Sequence, residues 1–196
     1  MFTRTESFKE FIRYYPVVSV IVSIHIILYL VTSLPIFPNS LLLELLTGVN
    51  LYIWQGEIWR LVTPIFLHSG FSHVLFNSFS LVLFGPALER LLGRFRFTWV
   101  YLATGVSANL ATLLIEPVTY IHLGASGAIF GLFGMYISLI VFRKHLLSKD
   151  NRQLITTIAV ISIIMTFLQP NINIISHLFG FLSGFLIGAL TLKKRA

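Results

Sequence analysis

Residues 174–192 read IISHLFGFLSGFLIGALTL and contain no charged side chain. A helix needs roughly 20 apolar residues to cross the hydrocarbon core of a bilayer, which is about 30 Å thick. In such a helix His177, Gly180, Gly184 and Gly188 fall on one face. Glycines at this spacing let two helix backbones approach closely within a membrane. The segment is therefore predicted to be a membrane helix that packs tightly against a partner through a face carrying one histidine.

A second segment, residues 126–142, offers the matching surface. Its glycines cluster on one side of a helix and are Gly127, Gly131 and Gly134. Ser126 lies beside them on the helical wheel. Packing the two glycine faces together would bring Ser126 within reach of His177. A serine beside a histidine is the arrangement in which histidine serves as general base for a serine nucleophile.

The rest of the chain has the same membrane character. Of its 196 residues, 56% are hydrophobic and 11% are charged, and its mean hydropathy is +0.87, whereas about 25% of residues are charged in a soluble domain. Six apolar stretches are long enough, or nearly so, to cross a bilayer. Their approximate bounds are 16–34, 71–88, 97–115, 126–142, 154–168 and 174–192. The sequence therefore predicts an all-α membrane protein with six transmembrane helices in a single domain, residues 1–196.

The basic residues predict how these helices are oriented, because cytoplasmic loops of membrane proteins are enriched in lysine and arginine. With the N-terminus in the cytoplasm, all but one of the 14 basic residues fall on the cytoplasmic side. They are Arg4, Lys9, Arg13, Arg90, Arg94, Arg96, Arg143, Lys144, Lys149, Arg152, Lys193, Lys194 and Arg195. Both termini are thus predicted to be cytoplasmic, and only Arg60 lies outside. The net charge of +7 is interpreted as membrane orientation rather than as a nucleic-acid surface.

Residue types that are rare or missing exclude several kinds of chemistry. Cysteine is absent, which excludes disulfides, thiolate metal sites and cysteine nucleophiles. Asp150 is the only aspartate, so a protease that uses two intramembrane aspartates would lack its pair. The His-Glu-x-x-His signature of zinc proteases is also missing. An enzyme with this sequence would rely on serine, histidine and asparagine, and no metal or cofactor is expected.

Polar side chains inside the predicted spans lie at one depth. Such groups are costly in a bilayer and normally face protein or a water-filled cavity. His73 and Asn77 lie in the first two turns of the second span, Ser126 begins the fourth, and His177 is near the start of the sixth. All three spans enter from outside in the predicted topology. The four residues are therefore expected to meet just below the outer face.

These residues can be given chemical roles, with Ser126 as nucleophile and His177 as its base. The Gly-Ala-Ser-Gly run at 124–127 opens a helix, so free backbone N–H groups and the helix dipole would stabilise an oxyanion near Ser126. His73 and Asn77 are four residues apart, point the same way, and could donate further hydrogen bonds to it.

The sequence offers fewer partners for the predicted base, His177. Phe130, one helical turn after Ser126, could pack against the imidazole of His177. Neither Asp150, which is cytoplasmic in the predicted topology, nor Glu116, in an outer loop, is placed to orient that imidazole. The prediction is a serine–histidine dyad.

At these positions the chain resembles the rhomboid family of intramembrane serine proteases, and the resemblance covers nearly its whole length. The matching elements are Gly124-Ala125-Ser126-Gly127, His177-Leu178-Phe179-Gly180, His73-Val74-Leu75-Phe76-Asn77 and Trp59-Arg60. Ser176 and Phe130 depart from the alanine and the tyrosine that are usual in the family. Gly-x-Ser-Gly alone is a weak signal, whereas its combination with the other elements in the correct spans is specific.

The resemblance implies a minimal six-helix rhomboid bundle of bacterial type. It implies that Ser126 and His177 are catalytic, and that Asn77, His73 and the backbone of Ser126 bind the oxyanion. Supporting positions are Phe130, Gly124, Gly127, Gly180 and Gly184. The implied partners are the lipid bilayer and single-pass membrane protein substrates, which would enter between the second and fifth helices. The implied location is the cell membrane, with the active site open to the extracytoplasmic side.

Two other hypotheses stay open. The protein could be a rhomboid-like binder of transmembrane helices that does not cut them, or a small membrane carrier that uses buried histidines for protons. A carrier would hold ionisable groups near the midplane, where His25 is the only candidate. Otherwise His25 is expected to be buried and structural, remote in depth from the site. Trp59 and Arg60 are expected to anchor the first loop at the lipid headgroups, and His122 to be solvated.

Overall fold

The computed structural model describes residues 5–35 and 38–192 of the chain. Arg4, Lys193, Lys194 and Arg195, which the predicted orientation uses, lie outside the described residues. The cytoplasmic placement of both termini therefore stays a prediction.

The described residues form nine α-helices with short connections. In chain order they are α1 (Phe8–Tyr14), α2 (Pro16–Ser33), α3 (Asn39–Leu46), α4 (Asn50–Trp54), α5 (Phe71–Leu92), α6 (Arg94–Ile115), α7 (Ser126–Phe142), α8 (Lys149–Leu168) and α9 (Ile174–Leu192). Short 3₁₀ helices lie at Ile58–Leu61, Thr63–Phe66 and Lys144–Leu146. Two short antiparallel strands, β1 (Gly48–Val49) and β2 (Ile121–His122), pair with Gly48 opposite His122. The prediction of an all-α architecture is confirmed.

A helix lies at each of the six predicted spans. Five of them, α2, α5, α6, α8 and α9, are long and apolar enough to cross a membrane, whereas α7 has only 17 residues. Several helices extend past the apolar runs, because basic side chains near a helix end can reach the headgroup layer. For example, α8 begins at Lys149 rather than 154, where the Ser148 side chain caps it by accepting the N–H of Asn151. The number of six crossings stays a prediction.

Helix α7 lies at the centre of the bundle, packed against α6 and α9. A Cβ atom added to Gly180 would collide with the carbonyl oxygen of Gly127, and one added to Gly184 would collide with that of Gly131. The two backbones are therefore in direct contact, as the glycine spacing predicts. This contact sets the relative height of Ser126 and His177.

Helix α2 is attached to α5 through one buried carboxylate. Pro16 occupies the first turn of α2, and the backbone N–H groups of Val17 and Val18 in that turn donate to the two carboxylate oxygens of Glu89, at 3.0 and 2.9 Å. A negative charge at a helix N-terminus is stabilised by the free N–H groups and the helix dipole. Glu89 is only 2% exposed, so the pairing fixes the start of α2 against α5.

Helix α8 is the least enclosed of the long helices. Only 17% of its most apolar 18-residue stretch is buried within the protein, whereas the corresponding share for α6 is 50%. Its outward face carries exposed apolar residues such as Val160, Ile164 and Phe167. The rest of the protein therefore leaves most of the surface of this helix uncovered.

The segment between α2 and α5 is held together by Arg60, a residue that is only 2% exposed. Its Nη1 donates to the carbonyl oxygens of Glu44 and Thr47 at 2.6 and 2.7 Å, and its Nε pairs with the Glu57 carboxylate at 2.6 Å. The expectation that Arg60 anchors at the headgroups is wrong, because these partners bury its charge inside the loop. Trp59 remains 46% exposed and donates its indole N–H to the carbonyl of Leu45.

Candidate active site

A cavity of about 880 Å³ opens at the end of the bundle where α7 and α9 begin. Its walls come from α5, α7, α8, the first turn of α9 and the segment around β2. His73, Asn77, Ser126 and His177, which come from three separate helices, all line it. The structure thus brings the four polar residues predicted to share one depth into one space.

Ser126 is the first residue of α7, and the turn before it depends on glycine. Gly124 has a φ of +129°, a conformation that other residues rarely adopt, and its N–H donates to the carbonyl of Pro64 at 2.8 Å. A Cβ atom there would lie 2.7 Å from Nε2 of His73. Ala125, the N-cap residue, provides no side-chain hydrogen bond, so the first N–H groups of α7 are not capped by it. They are available to a developing oxyanion beside Ser126.

His177 lies on the first turn of α9, whose start is fixed by Asn173. The side-chain oxygen Oδ1 of Asn173 accepts the N–H of Ser176 at 2.8 Å, and its side-chain nitrogen Nδ2 donates to the hydroxyl of Thr112 on α6 at 2.9 Å. The imidazole of His177 is stacked on the ring of Phe130, with 4.1 Å between centroids and 16° between planes. This is the packing expected for Phe130 from its spacing after Ser126.

The edge of the same imidazole meets a residue that the sequence did not single out. Nδ1 of His177 lies 2.8 Å from the hydroxyl oxygen of Thr166, near the end of α8. Nε2 is the ring nitrogen that this contact leaves free for another partner. Thr166 has no distinctive sequence signal, because a threonine in a helix usually bonds only to the carbonyl one turn earlier. The one clue in the sequence is the position of Thr166 near the end of α8, which is at the same depth as the first turn of α9.

Asn77 and His73 present hydrogen-bond donors toward the cavity. The amide nitrogen of Asn77 is buried and has no hydrogen-bond partner among the residues that the structure describes. Nδ1 of His73 accepts the backbone N–H of Ser69 at 3.5 Å and contacts the Ser69 hydroxyl at 3.1 Å, which leaves Nε2 to carry the proton beside Gly124. A buried donor without a partner costs free energy unless a ligand satisfies it, and an oxyanion would do so.

A row of imidazoles extends from this site into the bundle. The ring of His68 contacts those of His25 and His73 edge to face, at centroid distances of 4.7 and 5.0 Å, and Nε2 of His25 lies 3.3 Å from the Tyr101 hydroxyl. His25 is fully buried, as expected, but it is not remote from the site. The loop before α5 is buried at Ile65 and carries His68 inward, which the sequence could not indicate.

His122 also differs from expectation, since it is 7% exposed rather than solvated. Its ring packs directly against Gly48, where a Cβ atom would collide with it, and stacks on Tyr120. Burial lowers the pKa of His122 to about 4, and burial together with the neighbouring histidines lowers the pKa of His68 to about 3. Both imidazoles are therefore neutral at physiological pH.

No group of three or more histidine or acidic side chains in the described part of the chain is arranged to hold a metal ion.

Comparison with known proteins finds relatives of the chain. The family model described as "Rhomboid domain" matches residues 55–194. The chain is 48% identical, over 195 residues, to the Bacillus subtilis (strain 168) protein named "Putative rhomboid protease YdcA", covering 100% of this chain and 98% of that protein. It is 37% identical to "Rhomboid protease GluP" of the same strain, over 71% of this chain and 27% of that protein. It is 36% identical to "RHOMBOID-like protein 1" of Arabidopsis thaliana, over 80% of this chain and 41% of that protein.

Proposed function

The chain belongs to the rhomboid family, and from that premise we propose that it is an intramembrane serine protease. It hydrolyses a peptide bond in, or next to, the transmembrane segment of single-pass membrane proteins. The observation that carries the proposal is the shared cavity, which is lined by both Ser126 at the start of α7 and His177, with His177 contacting Phe130 and Thr166. Relatives whose names describe proteases support it.

The mechanism follows from the placement of these groups. The Ser126 hydroxyl attacks the scissile carbonyl while His177 takes its proton, and His177 then gives that proton to the leaving amine. The N–H of Ser126, the amide of Asn77 and the Nε2–H of His73 stabilise the oxyanion. Water that enters through the cavity hydrolyses the acyl-enzyme with His177 again as base. Desolvated donors aimed at a developing charge contribute roughly 2.7–4 kcal/mol each to catalysis.

Substrate enters from the side, between α5 and α8. Both helices contribute to the cavity wall, α5 with Phe76 and Ser80 and α8 with Ile161 and Met165. Because α8 is the least enclosed of the long helices, its displacement breaks few contacts within the protein. It ends at Leu168, shortly before Asn171, which has a φ of +61°, so the chain reverses direction there through a tight turn. Substrates with a helix-destabilising segment suit this route, since their backbone must unwind to reach Ser126.

The proposed location is the cell membrane, with six spans, cytoplasmic termini and a cavity open to the extracytoplasmic side. Described basic residues support this orientation. Arg90, Arg94 and Arg96 lie around the α5–α6 turn, at the opposite end of the bundle from Ser126, and their side chains are exposed. A cavity open to the outer face also gives the hydrolytic water a direct path.

The test is cleavage of a single-span substrate by the purified protein in liposomes. The parent is expected to cut it, and Ser126→Ala and His177→Ala are each expected to lose at least about 1,000-fold in rate. Ser138→Ala, a buried serine on the same helix that does not line the cavity, and His145→Ala, at an exposed position, are the matched controls and should cut at the parent rate. Parent-level cleavage by Ser126→Ala would refute the mechanism. A parent that binds transmembrane helices without cutting any would favour a non-catalytic binder.

A further inference from the structure

The hydroxyl of Thr166 contacts two groups at hydrogen-bonding distance. Its oxygen lies 2.8 Å from Nδ1 of His177 and 2.9 Å from the carbonyl oxygen of Ser162, one turn earlier on α8. Thr166 is only 2% exposed, so water does not compete for either contact. A hydroxyl has one proton to donate and two lone pairs to accept with. Since a carbonyl oxygen can only accept, a hydroxyl that donates to Ser162 must accept the Nδ1–H of His177.

We infer that Thr166 is a positioning residue for the proposed general base. It accepts Nδ1–H and so holds His177 in the tautomer whose Nε2 lone pair faces Ser126. The inference rests on the function proposed above and adds a third member to the serine–histidine pair. The other tautomer would carry its proton on Nε2 and could not take one from Ser126.

The same contact favours the step that follows. When His177 takes the proton of Ser126, both ring nitrogens carry hydrogen, and Thr166 then accepts from a charged donor. A hydrogen bond from a charged donor is roughly twice as strong as one between neutral groups. In serine proteases with three members a carboxylate fills this position, but among the described residues that line the cavity there is none. A hydroxyl fills the role here without placing a charge inside the bundle.

The contacts around the imidazole of His177 restrict the orientation of that ring. Phe130 covers one face of the imidazole at 4.1 Å, and Asn173 fixes the start of α9 one turn before it. With the ring plane set by Phe130 and its edge set by Thr166, His177 has one orientation toward the cavity. The contact also joins α9 to α8, the helix that borders the proposed substrate entrance.

The kinetic test compares Thr166→Val, which keeps the shape and removes the hydroxyl, with Thr166→Ser, which keeps the hydroxyl. Thr32 is the matched control, because it is also buried in a long helix and its hydroxyl donates to the carbonyl one turn earlier, but it touches no histidine. In the liposome assay kcat is expected to fall roughly 10- to 100-fold in Thr166→Val, with KM within about twofold of the parent. Thr166→Ser should recover most of kcat, and Thr32→Val should match the parent. A Thr166→Val enzyme with parent kcat would overturn the inference, as would a KM-only effect.

A second measurement does not depend on proteolytic activity. The ¹⁵N shifts of labelled histidines in the detergent-solubilised protein report which ring nitrogen carries the proton, and His177→Ala assigns the signal. The expected result is an Nδ1–H tautomer for His177 in the parent, and a mixture in Thr166→Val. An Nε2–H tautomer in the parent would overturn the inference even if the protease is active. Conversely, an inactive parent with His177 as Nδ1–H would remove the proposed function and leave the positioning contact intact.

Discussion

The imidazole of His177 lies flat against the ring of Phe130, 4.1 Å from it and tilted by only 16°. The two residues come from different helices, α9 and α7, and they meet because glycines let those helices touch backbone to backbone. The aromatic face restricts the rotation of the imidazole, so it contributes to the orientation of the proposed base.

Replacing Phe130 by leucine should therefore slow catalysis more than it weakens the fold. Loss of a stacked aromatic contact corresponds to about 0.5–1.5 kcal/mol, or roughly 2- to 10-fold in kcat. Phe130→Tyr preserves the ring and should stay near the parent rate. The measurement is kcat for substrate cleavage in liposomes, with thermal unfolding of each variant recorded alongside.

Phe97→Leu is the control for Phe130, because it removes a fully buried ring from α6 that does not line the cavity. It should lower the unfolding temperature by a similar amount while leaving the kcat of the folded protein unchanged. If the two leucine variants lost kcat equally, the stacking would have no special role.

The contact between α7 and α9 should tolerate no added side chain at Gly184. A Cβ atom there would overlap the backbone of Gly131, which cannot move aside as a flexible side chain could. We expect Gly184→Ala to destabilise the protein by about 1–3 kcal/mol or more through overpacking, measured by thermal unfolding in detergent. Gly70→Ala, at a site with extended backbone and no atom within 4 Å of the new Cβ, should unfold at the parent temperature. Equal stability of the two variants would contradict the backbone contact.

The carboxylate that caps α2 gives a separate stability prediction. Glu89→Gln keeps one acceptor oxygen for Val17 and Val18 but loses the second oxygen and the charge at the helix N-terminus. The expected cost is about 1–3 kcal/mol in unfolding free energy. Glu44→Gln, which changes an exposed carboxylate, should cost nothing measurable. A parent-like unfolding curve for Glu89→Gln would show that α2 does not depend on this cap.

The burial of His122 predicts how stability depends on pH. Its pKa is about 4 in the folded protein and about 6.5 when unfolded, so between these values the unfolded chain binds more protons. Its contribution to stability is complete above about pH 6.5 and is lost as the pH falls toward 4. Between pH 7.5 and pH 5 the parent should lose on the order of 2 kcal/mol more than His122→Gln does. Parallel pH profiles of the two proteins, measured by thermal unfolding, would contradict the buried neutral imidazole.

The sequence predicted the parts of this structure that depend on local patterns. Apolar runs locate the long helices, and the glycine spacing predicts that α7 and α9 touch, because both signals follow directly from helix geometry. The same helix pattern predicted that Ser126 and His177 lie at a similar depth in the membrane. The packing of α7 against α9 brings these two residues to one cavity, and α5, which contacts α7, adds His73 and Asn77 to it.

Features that depend on how helices rotate and where loops run were not predictable. The contact of Thr166 with His177 requires the rotation of α8, which no apolar pattern on that helix specifies. The burial of His68 and Arg60 requires the path of the loop between α2 and α5, where irregular backbone supplies the carbonyl partners. In both cases the spacing of the partners in the sequence follows no regular pattern.

The most direct test of the central claim is covalent labelling of Ser126. A serine-directed fluorophosphonate reacts only with a hydroxyl that a neighbouring base activates. Intact-mass analysis of the detergent-solubilised protein, followed by peptide mapping, measures how much adduct forms and where. The account predicts one adduct, on Ser126, that is absent in Ser126→Ala and forms far more slowly in His177→Ala. Absence of an adduct on the parent, or an adduct that persists in Ser126→Ala, would contradict it.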